Sequence, residues 1–229
     1  MTESVTNQGK QVLVLRTCNA DMTAHGGFTW PESGPVAAPD WQPTCACGKG
    51  LHGLLWGEGD ADLLNWSEDA RWLVVSVQES DIIDLVGKVK FPCGEVLCCG
   101  TRQEATEYLA NHGGARYAIH GGTATAGYGG TATAGYGGTA TAGTRGTATA
   151  GDGGTATAGY GGTATAGDGG TATAGDGGTL MIKWWDGNRY RVAIAYVGED
   201  GIEANTAYRL DDQQQFFAVP VPQQKTSKR

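Results

Sequence analysis

The chain has 229 residues, a mass of 23.7 kDa and a formal net charge of −8, with 39 Gly and only 17% charged residues. That acidic balance disfavours a phosphate-neutralising nucleic-acid binder, and no run of about 18 apolar residues is present to span a membrane. The Gly excess is local, with 22 of the 39 in residues 121–179, which argues against an ordinary globular enzyme.

Residues 1–120 read as a small α+β capping domain. Met1–Lys10 is polar and has no basic-then-apolar leader pattern, so a cytoplasmic or particle-associated location is the default expectation. Val12-Leu13-Val14-Leu15 and Arg71-Trp72-Leu73-Val74-Val75-Ser76-Val77 read as buried strands. Gln103 to His112 follows Thr101, carries Ala105, Tyr108 and Leu109 at helical spacing, and meets its stop at Gly113-Gly114. Trp30, Trp41, Trp56, Trp66 and Trp72 are expected as core or turn anchors.

All six Cys fall in this region: Cys18, Cys45, Cys47, Cys93, Cys98 and Cys99. Cys45-Ala46-Cys47 near His52 raises zinc, but C-x-C is not the usual ligand pair. Without a leader, disulfides are not the default, so buried reduced thiols are the simplest reading. No local motif supports a thiol nucleophile working with His25, His52 or His112. Gly48-Lys49-Gly50-Leu51-His52-Gly53 lacks the P-loop spacing and reads as a loop. No catalytic residue, metal site or cofactor is assigned, and the chain is not expected to be an enzyme. The region resembles an uncharacterised domain found ahead of similar repeats in bacterial and phage proteins, which implies no chemistry.

From Gly121 an eight-residue unit, Gly-Gly-Thr-Ala-Thr-Ala-Gly-X, recurs seven times and decays in an eighth copy at Gly177-Gly178-Thr179. Thr-Ala-Thr-Ala alternates with period two, so in a strand every Thr shares one face and every Ala the other. A helix would scatter them, and Gly and Thr are poor helix formers. Gly-X-Gly-Gly between the strands is a turn signal. The slot at Gly122, Gly130, Gly138, Gly146, Gly154, Gly162, Gly170 and Gly178 never varies, whereas Arg145 stands in the preceding one. The constant slot is therefore expected to need a positive φ or close backbone approach, and the variable slot neither.

Stacked copies would pair each short strand above and below, giving a β-solenoid. Eight residues are tight for a coil, so sixteen are expected, with two strands and two turns. Ala would fill a thin interior and Thr would face outward on both sides. One face would carry Thr123, Thr125, Thr139, Thr141, Thr155, Thr157, Thr171 and Thr173. The other would carry Thr131, Thr133, Thr147, Thr149, Thr163 and Thr165, with Thr179 opening a further rung. Thr is stiff at χ1, so such a grid is ordered before any ligand arrives. Each hydroxyl contributes only about 0.5–1.5 kcal/mol, so only a repeating partner engages many at once.

The unit Ala126-Gly127-Tyr128-Gly129-Gly130-Thr131-Ala132-Thr133 resembles the octapeptide of bacterial ice-nucleation proteins, Ala-Gly-Tyr-Gly-Ser-Thr-x-Thr. The paired Thr-x-Thr also resembles the ice-binding face of insect β-solenoid antifreeze proteins. The resemblance implies rows that order water into an ice-like layer. It covers about a quarter of the chain, and about four coils suit binding ice better than the dozens of coils of the nucleators. In those nucleators a stacked Tyr ladder is proposed to pair chains. Here one corner would run Tyr128, Thr144, Tyr160, Asp176 and the other His120, Tyr136, Asp152, Asp168, so neither ladder is continuous. Asp152 and Asp168 would stack with like charge, which costs energy. Period eight with Asp152, Asp168 and Asp176 does not match the calcium-binding nonapeptide, so solvated turn carboxylates are expected.

Leu180–Trp185 and Arg189–Val197 around Asp186-Gly187-Asn188 read as a hairpin. Gly198-Glu199-Asp200-Gly201 reads as a second turn, with further strands in 202–210 and 215–219. Trp184, Trp185, Phe216 and Phe217 are expected to cover the open end of the Ala core.

The whole is thus expected to be mainly β. A short β-solenoid of about four 16-residue coils (121–179) would lie between an N-terminal α+β capping domain (1–120) and a C-terminal antiparallel β cap (180–219), with a disordered basic tail (220–229). The functional expectation is an ice-binding, antifreeze-like protein whose partner is ice or ordered water, with homo-oligomerisation through the solenoid open. The alternative is a structural or self-assembling rod of a phage or cell envelope with no ice activity.

Overall fold

A computed structural model of the chain describes residues 9–220. The expected basic tail lies outside them, Pro220 excepted, as does most of Met1–Lys10. The chain divides into two compact units, Met1–Thr123 and Ala124–Arg229.

In the first unit, seven strands form one antiparallel sheet: β1 (Gln11–Cys18), β2 (Gly34–Ala37), β3 (Leu51–Leu55), β4 (Arg71–Gln78), β5 (Ile83–Asp84), β6 (Val89–Phe91) and β7 (Cys93–Gly100). Their order is β2-β7-β4-β1-β3-β6-β5. The runs of consecutive apolar residues in β1 and β4 have a direct cause, because the sheet is covered on both faces. Val14, Leu73, Val75 and Val77 enter one core with Trp30, Val36 and Phe91. Leu13, Leu15, Trp72 and Val74 enter the other, against Ala105 and Leu109. Those two belong to α1 (Arg102–Leu109), whose start is fixed by a capping box between Thr101 and Glu104.

The six thiols do not match the expectation of burial. Cys18 is buried and Cys98 and Cys99 are half-buried, but Cys45, Cys47 and Cys93 are exposed. Cys45 and Cys47 lie in the 38–50 loop, and Cys93 begins β7, paired with Ala37 of the edge strand β2.

The repeats fold as the period dictates. β8 (Thr123–Ala126), β9 (Thr131–Ala134), β10 (Thr139–Ala142), β11 (Thr147–Ala150), β12 (Thr155–Ala158), β13 (Thr163–Ala166) and β14 (Thr171–Ala174) are four-residue strands, and β15 (Thr179–Trp185) continues the register. Even-numbered strands β8, β10, β12 and β14 stack in one sheet, and β9, β11, β13 and β15 in a second. Pairing is parallel and advances by sixteen residues per rung, Thr139 against Thr155 and Thr155 against Thr171. This is a β-solenoid of about four coils with an alanine interior. From Ala132 to Ala174 the Ala side chains are at most 4% exposed.

Each corner is a four-residue turn closed by a hydrogen bond, as from Gly130 N–H to the Gly127 carbonyl at 3.1 Å. Its third residue is left-handed, the pattern of a type II turn. Here the glycine expectation needs correcting. The positive φ falls on the variable slot, Gly129 at 66° and Gly153 at 66°, and Arg145 holds it at 57° without being glycine. The constant slot is glycine for closeness alone. A Cβ on Gly146 would stand 2.8 Å from the Ala142 Cβ and 2.9 Å from the Gly130 carbonyl oxygen of the coil below.

The array ends by a change of strand direction. β16 (Tyr190–Tyr196) pairs antiparallel with β15, and β17 (Ala207–Leu210) pairs antiparallel with β14 and then with β18 (Phe216–Ala218). Leu180 and Ile182 replace the Ala of earlier rungs, and with Val197, Ile202 and Tyr208 they complete the core. Of the four aromatics expected to cover this end, only Phe216 packs against that core. Trp185 and Phe217 are exposed, and Trp184 is half-buried outside it. Period two explains Trp185, which points outward with Met181 and Lys183, whereas Trp184 shares the parity of the inward Leu180 and Ile182 but lies outside the core.

Candidate functional site: the outward threonine rows

The strand alternation places Thr opposite to the buried Ala on every rung. The fourteen Thr expected outward lie on those outward faces. Thr123, Thr125, Thr131 and Thr133 are exposed, and those on later rungs are half-buried, with paired strands on both sides of them. One face holds the pairs Thr123/Thr125, Thr139/Thr141, Thr155/Thr157 and Thr171/Thr173; the other holds Thr131/Thr133, Thr147/Thr149 and Thr163/Thr165.

Register makes each row a lattice. Thr139, Thr155 and Thr171 sit directly over one another, as do Thr131, Thr147 and Thr163. Pairs along a strand are about 6.6 Å apart and rungs about 4.8 Å apart. The corners share in this rigidity, because their backbones join the ladder: Arg145 N–H donates to the Tyr160 carbonyl at 2.8 Å and Thr147 N–H to the Gly130 carbonyl at 2.9 Å. A β-branched side chain on so constrained a backbone has little rotamer freedom left to lose.

Sequence reasoning passed over how the second face ends. Thr163 meets Thr179, but Thr165 meets Met181, so the last rung carries one hydroxyl where the others carry two. The preserved period two of Leu180-Met181-Ile182 was the available signal.

The turn residues are arranged as two mixed corners. Tyr128, at 72% exposed, accepts a hydrogen bond on its hydroxyl from Arg145 Nη1 at 3.1 Å, and Tyr160 is exposed on the same corner. On the other corner, Asp152 Oδ1 accepts the Asp168 backbone N–H at 2.9 Å. The expected like-charge stack is therefore bridged by an amide donor. Among the described residues, no three His, Cys, Asp or Glu side chains converge on a metal position. Cys47 faces Lys88, not a second ligand: the Lys88 ammonium donates to its Sγ at 3.0 Å and holds the thiol pKa below its ordinary value.

Together the fold and the rows define a short β-solenoid protein bearing a threonine lattice on each flat side, with an α+β unit encoded ahead of it. The chain is 42% identical over 107 residues to an ice nucleation protein of Pseudomonas fluorescens, covering 46% of this chain and 9% of that protein. It is 41% identical over 104 residues to ice nucleation protein InaU of Pantoea ananas, covering 44% and 10%. With an ice nucleation protein of Pseudomonas syringae it shares 45% identity over 102 residues, covering 44% and 9%. The chain thus spans about a tenth of the length of these curated relatives. Residues 12–111 match a family model described as a domain of unknown function, DUF7666. No solved structure matches the chain.

Proposed function

We propose that this chain is an ice-binding protein that orders water on its outward Thr-Ala-Thr rows and carries out no catalysis. The observation that carries the reading is the in-register vertical stacking of outward Thr pairs on a hydrogen-bonded ladder. Ordered hydroxyls and methyls at fixed spacing hold a water layer at little further entropic cost, and only a periodic solid presents enough matching positions to use them together. The similarity to ice nucleation proteins supports the same partner. Size favours binding over nucleation. Four rungs span about 14 Å at ~4.8 Å per rung, which holds an existing crystal surface but templates only a small embryo.

Thermal hysteresis and ice recrystallisation inhibition test this directly. The wild type is expected to shape ice crystals. Thr155→Tyr with Thr157→Tyr, which breaks the middle of one lattice while leaving the Ala interior intact, is expected to remove most of that activity if that face is the one used; Thr147→Tyr with Thr149→Tyr tests the other. A wild type that leaves growing ice unaltered would falsify the reading.

A structural or self-assembling role has one observation in its favour. β16 is the outer strand of its sheet, and Tyr190, Val192, Ile194 and Tyr196 on it are each about half exposed. Unpaired strand edges with apolar side chains recruit further strands. Fixed oligomers or filaments by size-exclusion chromatography and electron microscopy, without ice activity, would select this role.

A further inference from the structure

We propose that the first unit binds a small organic oxyanion, a phosphate or carboxylate carried on a flat apolar body. The site is a cavity of about 580 Å³ at the ends of β1 and β3, walled by the 25–30 and 47–50 loops and by Lys88. This volume is in the range of small-molecule pockets. None of these residues takes part in the threonine lattice, so the proposal stands or falls apart from the ice-binding reading.

Two residues of the lining each carry a buried polar atom with no hydrogen-bond partner, Arg16 Nε and His52 Nε2. Buried donors and acceptors in native folds are almost always satisfied, and an orphan calls for an explanation. The Arg16 side chain is held in place from two directions. Its Nη1 donates to the His52 carbonyl at 2.8 Å, and its guanidinium lies 5.0 Å from the Trp30 ring centroid. Desolvation pulls its pKa below the ordinary value, offset in part by the neighbouring Cys18 thiol. His52 is held neutral at pH 7, its pKa pushed down to about 4 by burial first and then by Lys88, Arg16 and Lys90.

Charge sets the sign of the ligand. Arg16, Lys49 and Lys88 line the cavity against the single carboxylate of Asp40, an excess of positive charge in a chain of net charge −8. Lys88 is engaged by the Cys47 thiol, a weak partner that an oxyanion displaces readily. Phe28 and Trp30, ring to ring at 5.6 Å and 83°, supply an aromatic wall beside these cations, which selects a ligand with an apolar body over a bare ion.

Isothermal titration of the full chain at low salt, with Trp fluorescence alongside, tests this with phenyl phosphate, benzoate, inorganic phosphate and neutral benzyl alcohol. Phenyl phosphate or benzoate is expected to bind at millimolar concentration or below. Binding is expected to weaken roughly tenfold in the double variant Lys49→Gln, Lys88→Gln, and to fall as salt rises. Both lysines are at the rim, so that variant keeps its fold. Arg16→Lys, which keeps the charge and loses Nε, is expected to weaken binding further at unchanged circular dichroism. Preference for phenyl phosphate assigns the phosphoryl group and preference for benzoate the carboxylate. The proposal is overturned if no anion binds, if benzyl alcohol binds as well as benzoate, or if the lysine variant binds unchanged.

Discussion

Arg145 and Gly146 sit side by side in the same turn and obey opposite constraints. Arg145 has room for its side chain but holds a left-handed φ of 57°. Gly146 has no room, because its missing Cβ would meet Ala142 and the carbonyl of Gly130. A non-glycine residue in the left-handed region costs about 1–2 kcal/mol. Arg145→Gly is therefore expected to raise stability by about 1 kcal/mol despite losing the exposed contact with Tyr128, whereas Gly146→Ala destabilises by more than that gain. Urea denaturation of the two variants checks the sign of each. The Arg145 result is the informative one, since in the sequence the slot that tolerates Arg looks unconstrained.

A single strand of four residues stabilises nothing, and the solenoid holds because each rung repeats the one below. Ala is what makes that repeat close, since Ala140, Ala156 and Ala172 stack at 0% exposure in one sheet and Ala148 and Ala164 do so in the other. A methyl-lined interior offers only about 0.8 kcal/mol per buried carbon, so backbone ladder bonds supply most of the cohesion. The same thinness leaves no space for a larger side chain. Ala156→Leu is expected to destabilise the array by about 1–3 kcal/mol through overpacking, read as a lower thermal midpoint. Leu180 and Ile182 occupy the corresponding inward positions at the last rung without this cost, because β17 and its neighbours build a wider core there. For Trp185, position in the alternation, not hydrophobicity, decided that the side chain turned outward.

For the chain as a whole, on the proposed ice-binding reading, the number of coils is the quantity expected to separate binding ice from seeding it. The matched stretch is only about a tenth of the relatives' length, and an ordered-water patch grows with every rung added. Inserting one or two further copies of residues 139–154 keeps both the register and the turn chemistry. On the ice-binding reading, recrystallisation inhibition is expected to increase with each added coil, and the freezing temperature of supercooled droplets to rise only in the longer variants. Droplet-freezing and recrystallisation assays on the length series check it; activity independent of coil number would count against a lattice mechanism.

The amino-acid sequence by itself determined the repeat and everything periodic in it: the strand positions, the sixteen-residue coil, Ala inward and Thr outward. Period two leaves a strand only two faces, and a strict eight-residue unit forces every copy to choose the same one. The helix after Thr101 and the hairpin around Asp186-Gly187-Asn188 were legible for a similar local reason, a cap and a turn encoded within a few residues. Only the tertiary structure decided which glycine is left-handed, which residues close the array, and that Arg16, His52 and Lys88 meet at one cavity. Those depend on backbone approach between coils and on strands brought together from positions tens of residues apart, and no local pattern records either.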